Sequence, residues 1–419
     1  MKPLGLLYVA SLLKQYSNLS VHFIDCLDRY HPLLPKKSKT KNDGRGSITK
    51  EESKKPEVLM DIPRKFSRYG LPLDVFRDEI RRTPLPDAVF LSCTMTYWYP
   101  GVQAVIEEIR RTWGRIPVLL GGIYPTLIPD HAASQSGADV IIRGPAEQFF
   151  PEVLKRILGD AAAPISEKPS TELPQPAFEL LRSKEVLPLI TSRGCPFRCS
   201  FCAGPLLYPG FNQRPLGSVA DELEKDLRIH GAKHIAFYDD ALLINKENHF
   251  FPLLDEIVRR GLNLSFHTPN GLHVREIDVP TAGMMKKAGF QSLFLSQESF
   301  DSGVLAGACS KVEPADLDEA LNHLDKAGYI RSEVNVYLLV GLPGIHASVV
   351  KEDIRRVRKL GARPRLAYFS PVPGTVEWRK LVEKGIFAED TDPLLHNKLA
   401  FAYIWGDITP EEFESLTVL

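Results

Sequence analysis

Cysteine is scarce in this chain: six residues among 419, at positions 26, 93, 195, 199, 202 and 309. So few, with three crowded together, exclude the disulfide framework of a secreted domain. An excess of charge of either sign is missing too, since 52 Lys and Arg face 52 Asp and Glu. A neutral chain offers no electrostatic footprint for nucleic acid, which argues against such a partner. No apolar run reaches the roughly 20 residues that a membrane span needs, so no span is expected. The short apolar start, Met1 to Tyr8, carries no cleavage-site pattern and is not read as a signal peptide.

What cysteine there is carries the chemistry. The run Arg193-Gly194-Cys195-Pro196-Phe197-Arg198-Cys199-Ser200-Phe201-Cys202 has the pattern C-x3-C-x-F-C. Three thiolates on one short loop can hold three irons of a cubane 4Fe–4S cluster, which a fourth thiolate ordinarily completes. No fourth cysteine is near in sequence, so one iron is left open, as catalytic metal sites require. Structural zinc would need a fourth Cys or His at the usual spacing, and His230 and His234 lie far along a different element. Cys26, Cys93 and Cys309 lie off this loop, so each is expected to be replaceable without loss of iron. Reduced thiols and an oxygen-sensitive cluster fit the cytoplasm of an anaerobe.

From about residue 186 strands and helices alternate. Strands are predicted at 186–191, 235–240, 264–268, 292–297, 334–341 and 366–370. Helices are predicted between them at 218–230, 250–260, 279–288, 314–327 and 349–360, the first with a Ser218–Asp221 capping pair and Gly231 as terminator. Eight such units close a TIM barrel; six give an open, partial (β/α)6 one with its site at the C-terminal strand ends. The 186–191 strand delivers the cysteine loop there. Phe237-Tyr238-Asp239-Asp240 follows the second strand. Asp239 and Asp240 could accept bonds from a ribose or an ammonium group, or could serve as helix caps and turn residues.

The N-terminal part is also α/β. A helix is predicted over 4–16 and another over 101–113, with strands at 21–25, 88–92, 118–122 and 140–144. Glycines come at strand ends, where doubly wound sheets bind ligands. Residues 35–57 have no periodicity and almost no large apolar residues, which predicts a mobile loop. Residues 156–185 read as a linker, and 376–419 as a C-terminal helical extension capping the barrel. The domains expected are therefore 1–155, the linker, 186–375 and the extension.

Cys195, Cys199, Phe201 and Cys202 resemble the signature of the radical S-adenosylmethionine (SAM) superfamily. The resemblance implies a (β/α)6 core, a cluster whose open iron is chelated by SAM, and reductive cleavage of SAM to methionine and a 5′-deoxyadenosyl radical. It implies that Phe201 packs beside the cluster and adenine, and that Glu298, in Ser296-Gln297-Glu298-Ser299, is the acidic contact after the fourth strand. Gly341, in Val340-Gly341-Leu342-Pro343-Gly344, is similar to the fifth-strand glycine that lets backbone approach adenine; a simple tight turn is the other reading. Pro371-Val372-Pro373-Gly374-Thr375 completes the match. A flavodoxin- or ferredoxin-type electron donor is implied as partner, and the substrate class, small molecule or peptide, is left open.

Residues 1–150 resemble the Rossmann-like cobalamin-binding domain often fused upstream of such cores. The matching segments are residues 3–10, Ser92-Cys93-Thr94, Gly121-Gly122-Ile123-Tyr124-Pro125-Thr126 and Arg143-Gly144-Pro145-Ala146-Glu147. Ser92, Thr94, Gly121 and Gly122 are the candidate cobalamin contacts, where small and hydroxylated residues give a nucleotide tail room and hydrogen bonds; these glycines could equally just turn the sheet. The domain's first strand is expected to be missing. No D-x-H-x-x-G element appears, and His31 is a poor substitute, so no histidine is expected on the cobalt. Methylation of an unreactive carbon with methylcobalamin is the implied outcome. A cobalamin-independent rearrangement or cyclisation is the alternative, and a non-catalytic cluster protein a further one.

Overall fold

The computed structural model describes residues 2–15, 19–35, 41–145, 150–159, 174–309, 311–405 and 407–418. The chain forms two compact units: Met1–Lys184 with Asp390–Leu395, and Glu185–Glu389 with His396–Leu419.

In the first unit α1 (Leu4–Leu13) buries Leu4, Leu7, Tyr8, Ala10 and Leu12. Residues 21–25 form no strand. Ile24 packs into the core, but apolar burial alone does not supply the neighbouring backbone that a ladder needs. The 35–57 stretch departs from the expected loop as well. Within it β1 (Lys50–Glu52) pairs antiparallel with β2 (Ser67–Tyr69), setting Glu51 opposite Arg68. The Arg68 guanidinium is 2.5 Å from the Glu51 carboxylate, and such cross-strand charge pairs need no apolar residue. Residues 36–40 of that stretch lie outside the described residues.

Helix α2 (Leu73–Arg82) leads to β3 (Val89–Ser92), α3 (Tyr99–Trp113), β4 (Val118–Gly121), α4 (Ile123–Leu127), α5 (Pro129–Gln135), β5 (Val140–Ile141) and α6 (Phe150–Leu158). Strands β3, β4 and β5 form a parallel sheet with β4 central. Val118, Leu119 and Leu120 of β4 are wholly buried, as in a sheet covered on both faces. Val102, Ile106 and Ile109 of α3 meet Phe76 and Ile80 of α2 in the core. Glu108, buried on α3, is clamped by Arg77 through two 2.7 Å bonds, the bidentate geometry that suits a desolvated carboxylate. The described part of the expected linker is packed: Ala177 and Phe178 are buried, and the Ala177 N–H donates to Leu7 O at 3.1 Å. Residues 160–173 lie outside the described residues.

The second unit begins with β6 (Val186–Leu189), β7 (Ser192–Gly194), α7 (Gly204–Leu207), β8 (Phe211–Gln213), α8 (Leu216–Arg228), β9 (His234–Phe237) and α9 (Phe251–Arg259). It continues through β10 (Ser265–His267), β11 (Leu272–His273), α10 (Val279–Ala288), β12 (Phe290–Ser292), β13 (Phe294–Glu298), α11 (Ser302–Ala308) and α12 (Asp316–Lys326). The last elements are β14 (Asn335–Val340), α13 (Ala347–Lys359), β15 (Arg363–Tyr368), α14 (Val376–Glu383), α15 (Lys398–Ile404) and α16 (Pro410–Val418).

The strands run in two parallel sheets, β12-β10-β9-β6 and β11-β13-β14-β15. The expected fourth strand is interrupted at Leu293. Its first piece pairs with β10 and its second with β11. Thr268 bridges the break, since its hydroxyl accepts from Phe294 N–H at 3.1 Å while its own N–H donates to Ser292 O. Helix α8 starts at Leu216 with Pro215 as N-cap, two residues before the expected Ser218, and makes no side-chain cap bond. Asp221 is turned to Arg260 instead, at 2.7 Å. Among the described residues no helix is long and apolar enough to cross a membrane.

Candidate active site

Strand β6 points its C-terminal end at the cysteine loop, and the carboxylate of Asp239 fixes that end. Asp239 is buried and accepts from the N–H and hydroxyl groups of both Thr191 and Ser192, at 2.7–3.1 Å. It therefore ties the end of the second barrel strand to the first. Strand β7 then pairs with β8 in a short antiparallel hairpin. Gly194 has φ 79, and a Cβ there would lie 2.0 Å from Gly210 O, so only glycine permits the turn into Cys195.

The loop itself is held by backbone. Cys202 N–H donates to Cys199 O at 3.1 Å, Ser200 N–H to Ala308 O at 2.9 Å, and Glu377 N–H to Ser200 O at 3.1 Å. All three thiols are free, with Cys195 and Cys199 half-buried and Cys202 exposed. Burial pushes the Cys195 thiol up, and Cys202, Asp240 and Cys199 push it further. The hydrogen bond that Cys199 donates to Cys309, then burial, pushes Cys199 up. Thiols that repel one another as anions suit a cationic centre. Among the described residues no three His, Cys, Asp or Glu side chains converge to hold one metal ion. A cubane does not ask for that, because each of its thiolates binds a different iron. The donor set, three free thiols on one anchored loop, fits a 4Fe–4S cluster.

Asp240 is exposed and close enough to act electrostatically on Cys195 and Cys202. Glu298 ends β13 in the left-handed region, φ 66, where the ladder with β14 shifts register. Its carboxylate is 3.2 Å from Lys311 Nζ. Burial opposes the Lys311 charge, but Glu298, then Cys309 and Cys199, hold its pKa above the ordinary value. Gly341 has φ 78 and nothing within 4 Å of an added Cβ, so open space lies over the turn after β14. Phe201 is half-buried.

Sequence reasoning missed three residues here. Cys309 Sγ lies 3.4 Å from Cys199 Sγ, so a fourth thiol does stand beside the trio, although far off in sequence. Lys311 follows it. The His273 ring stacks on Phe197 of the cysteine loop, centroids 4.7 Å apart. Both His273 nitrogens are buried without a recorded partner, and burial, then Lys311 and Arg275, lowers its pKa to about 4. Only the presence of Lys and His after barrel strands could have hinted at these two.

In the first unit Ser92 and Gly121 end the paired strands β3 and β4, in register, and Thr94 follows half-buried. Gly122 has φ 97, and a Cβ there would lie 2.6 Å from Cys93 O and 2.8 Å from Ser92 Oγ. Its small size is thus used by close backbone approach, and the room expected for a ligand at that atom is filled. Thr126 Oγ1 donates to Gly122 O at 2.7 Å and accepts from Gly144 N–H at 3.0 Å, joining the ends of β4 and β5. Ala146 and Glu147 lie outside the described residues. His31 is buried, with Nε2 3.1 Å from Glu79 and Nδ1 accepting from Leu33 N–H, so it is committed within the fold. These strand-end turns offer hydroxyls and backbone to a nucleotide, and no free histidine at His31.

A thiol loop at the C-terminal ends of a parallel half-barrel, and a separate parallel α/β unit, define a two-part cluster protein. Residues 189–357 match the model of the radical SAM superfamily, and residues 69–154 that of the B12 binding domain. The chain therefore carries a radical SAM domain, with a B12-binding domain ahead of it in sequence. The cofactors these domains imply are a 4Fe–4S cluster, SAM and cobalamin.

Among its relatives is an uncharacterized methyltransferase of Pyrococcus horikoshii, 24% identical over 336 residues, covering 72% of this chain and 70% of that protein. An anaerobic magnesium-protoporphyrin IX monomethyl ester cyclase of Cereibacter sphaeroides is 24% identical over 295 residues, 61% of this chain and 47% of that protein. The radical SAM methyltransferase TsrM of Kitasatospora setae, solved with tryptophan substrate and a SAM analogue, shares the fold. Its TM-score is 0.62 at 19% identity, over 74% of this chain and 68% of that one.

Proposed function

We propose that this protein is an enzyme that cleaves SAM reductively and methylates an unreactive carbon of a small molecule or peptide, using cobalamin. The observation that carries this reading is the anchored loop of Cys195, Cys199 and Cys202 at the end of β6, inside the radical SAM match. The methyltransferase names of the Pyrococcus horikoshii and Kitasatospora setae proteins favour methyl transfer as the outcome. When bound, the cluster supplies the electron that breaks a carbon–sulfur bond of SAM, and cobalamin supplies a methyl carrier.

The chain's own residues do the holding. Asp239 and the Ser200 backbone keep the thiol loop in place. Glu298 and Asp240 offer acceptors for the ribose hydroxyls or the amino group of SAM, and Lys311 offers a donor for its carboxylate. Gly341 leaves room for a flat base, and Phe201 packs beside it. Ser92, Thr94, Gly121 and Gly122 turn the strand ends toward cobalamin through hydroxyl and backbone groups. The proposed domains remain 1–155, 186–375 and 376–419, with 156–185 between. A flavodoxin- or ferredoxin-type protein would deliver the electron, in a reducing cytoplasm.

A second reading is cobalamin-independent cyclisation or rearrangement, and the name of the Cereibacter sphaeroides cyclase favours cyclisation as the outcome. The test is anaerobic incubation with dithionite and SAM. Slow release of 5′-deoxyadenosine is expected even without substrate, and its loss in each of C195A, C199A and C202A. No 5′-deoxyadenosine from iron-loaded protein would leave a non-catalytic cluster protein. A wild type that releases 5′-deoxyadenosine but takes up no hydroxocobalamin would favour cyclisation.

A further inference from the structure

Cys309 is the C-cap residue of α11, 110 residues beyond Cys199 in sequence. It is 3% exposed, and its Sγ is 3.4 Å from that of Cys199. Backbone bonds set this distance from both sides. Ser200 N–H donates to Ala308 O at 2.9 Å, and Cys309 N–H to Leu305 O at 2.9 Å. The backbone N–H of Lys311 donates to Cys309 Sγ.

In the metal-free chain Cys199 donates to Cys309. Once Cys199 ligates iron it is a thiolate and carries no proton. The bond can then run only one way, with the Cys309 S–H donating and Cys199 Sγ accepting. A thiol is a weak donor, but this one is shielded from water and already accepts from Lys311, so its proton has Cys199 before it. Cluster potentials respond to hydrogen bonds on the ligating sulfurs, because such bonds favour the more negative, reduced state.

We propose that Cys309 is a positioning residue for the cluster, donating a hydrogen bond to the Cys199 ligand and so raising the cluster's reduction potential. This rests on the three-cysteine cluster reading above.

The test compares wild type, C309A and C309S, each reconstituted anaerobically. Iron is quantified, and the midpoint potential is then read by redox titration followed by electron paramagnetic resonance. All three should hold the same iron. The C309A potential should move to more negative values. C309S keeps an O–H donor and should lie on the wild-type side of C309A. An unchanged potential in C309A overturns the inference alone. Loss of iron in C309A also overturns it, since Cys309 would then be a ligand or part of cluster assembly. Failure of the wild type to take up iron would overturn the cluster reading and this inference with it.

Discussion

Glu298 is a long side chain held at φ 66, a conformation that costs an L-residue roughly 1–2 kcal/mol and costs glycine little. Such strain persists where the surroundings over-determine it, and it gathers at functional sites. Here the register shift against β14 and the ion pair with Lys311 do the determining. Both Glu298→Gly and Glu298→Ala remove the carboxylate and leave the Lys311 ammonium without it, so that loss cancels between them. Glu298→Gly should be more stable than Glu298→Ala to urea unfolding by about 1 kcal/mol, the backbone difference alone. Both should bind SAM more weakly than wild type, by equilibrium binding to the iron-loaded protein, without losing iron. Equal stability of the two variants would mean that the strain is absent. Unchanged SAM affinity would make Glu298 structural and move the acidic contact to Asp240, because Asp239 is occupied by Thr191 and Ser192.

At the scale of the element, α8 shows how a barrel helix can bury acid and still pack. Val219, Ala220 and Leu223 form its apolar stripe, and Glu222 and Asp226 lie buried one turn apart beside them. Arg214 reaches Glu222 at 2.6 Å, while Asp226 Oδ2 has no recorded partner. Burial, then the Glu222 charge, raises the Asp226 pKa to about 8. In the unfolded chain an aspartate titrates near 3.9. Between these values the folded protein holds a proton that the unfolded chain has released. Its contribution to stability is therefore whole below about pH 4 and is lost as pH rises through about 8, at up to about 1.4 kcal/mol per pH unit. Asp226→Asn cannot titrate. Its stability relative to wild type, from urea unfolding at pH 5 and pH 8, should rise with pH. A difference that stays flat would show that Asp226 is ionised throughout.

For the whole molecule, what was legible follows from how far each signal reaches along the chain. Apolar periodicity is local, so the barrel strands and α10 at Val279–Ala288 could be read directly. The break at Leu293 could not, because it depends on Thr268 bridging two sheets. Nor could the β1–β2 hairpin, which is held by backbone and charge pairs. Cys309 reaches Cys199 only through the path of β13 and α11, and no spacing rule spans that distance. Gly122 was legible as a glycine, but its reason, contact with Cys93 O, exists only in the folded sheet.

The division of the chain into two units also sets which losses should travel together. The cluster thiols belong to the second unit and the candidate cobalamin contacts to the first. If each cofactor is held by its own unit, the triple variant C195A/C199A/C202A should lose iron and 5′-deoxyadenosine release yet bind hydroxocobalamin as wild type does, measured by absorbance after desalting. His31 is tied to Glu79 and Leu33, so the cob(II)alamin form should show no nitrogen superhyperfine splitting in its electron paramagnetic resonance spectrum. Splitting that disappears in His31→Ala would place that histidine on the cobalt and require the Glu79 contact to open. Loss of cobalamin together with iron in the triple variant would mean that the first unit does not hold it alone. A wild type that takes up iron but no cobalamin would leave the radical chemistry standing and remove the methyl carrier, turning the reading toward cyclisation.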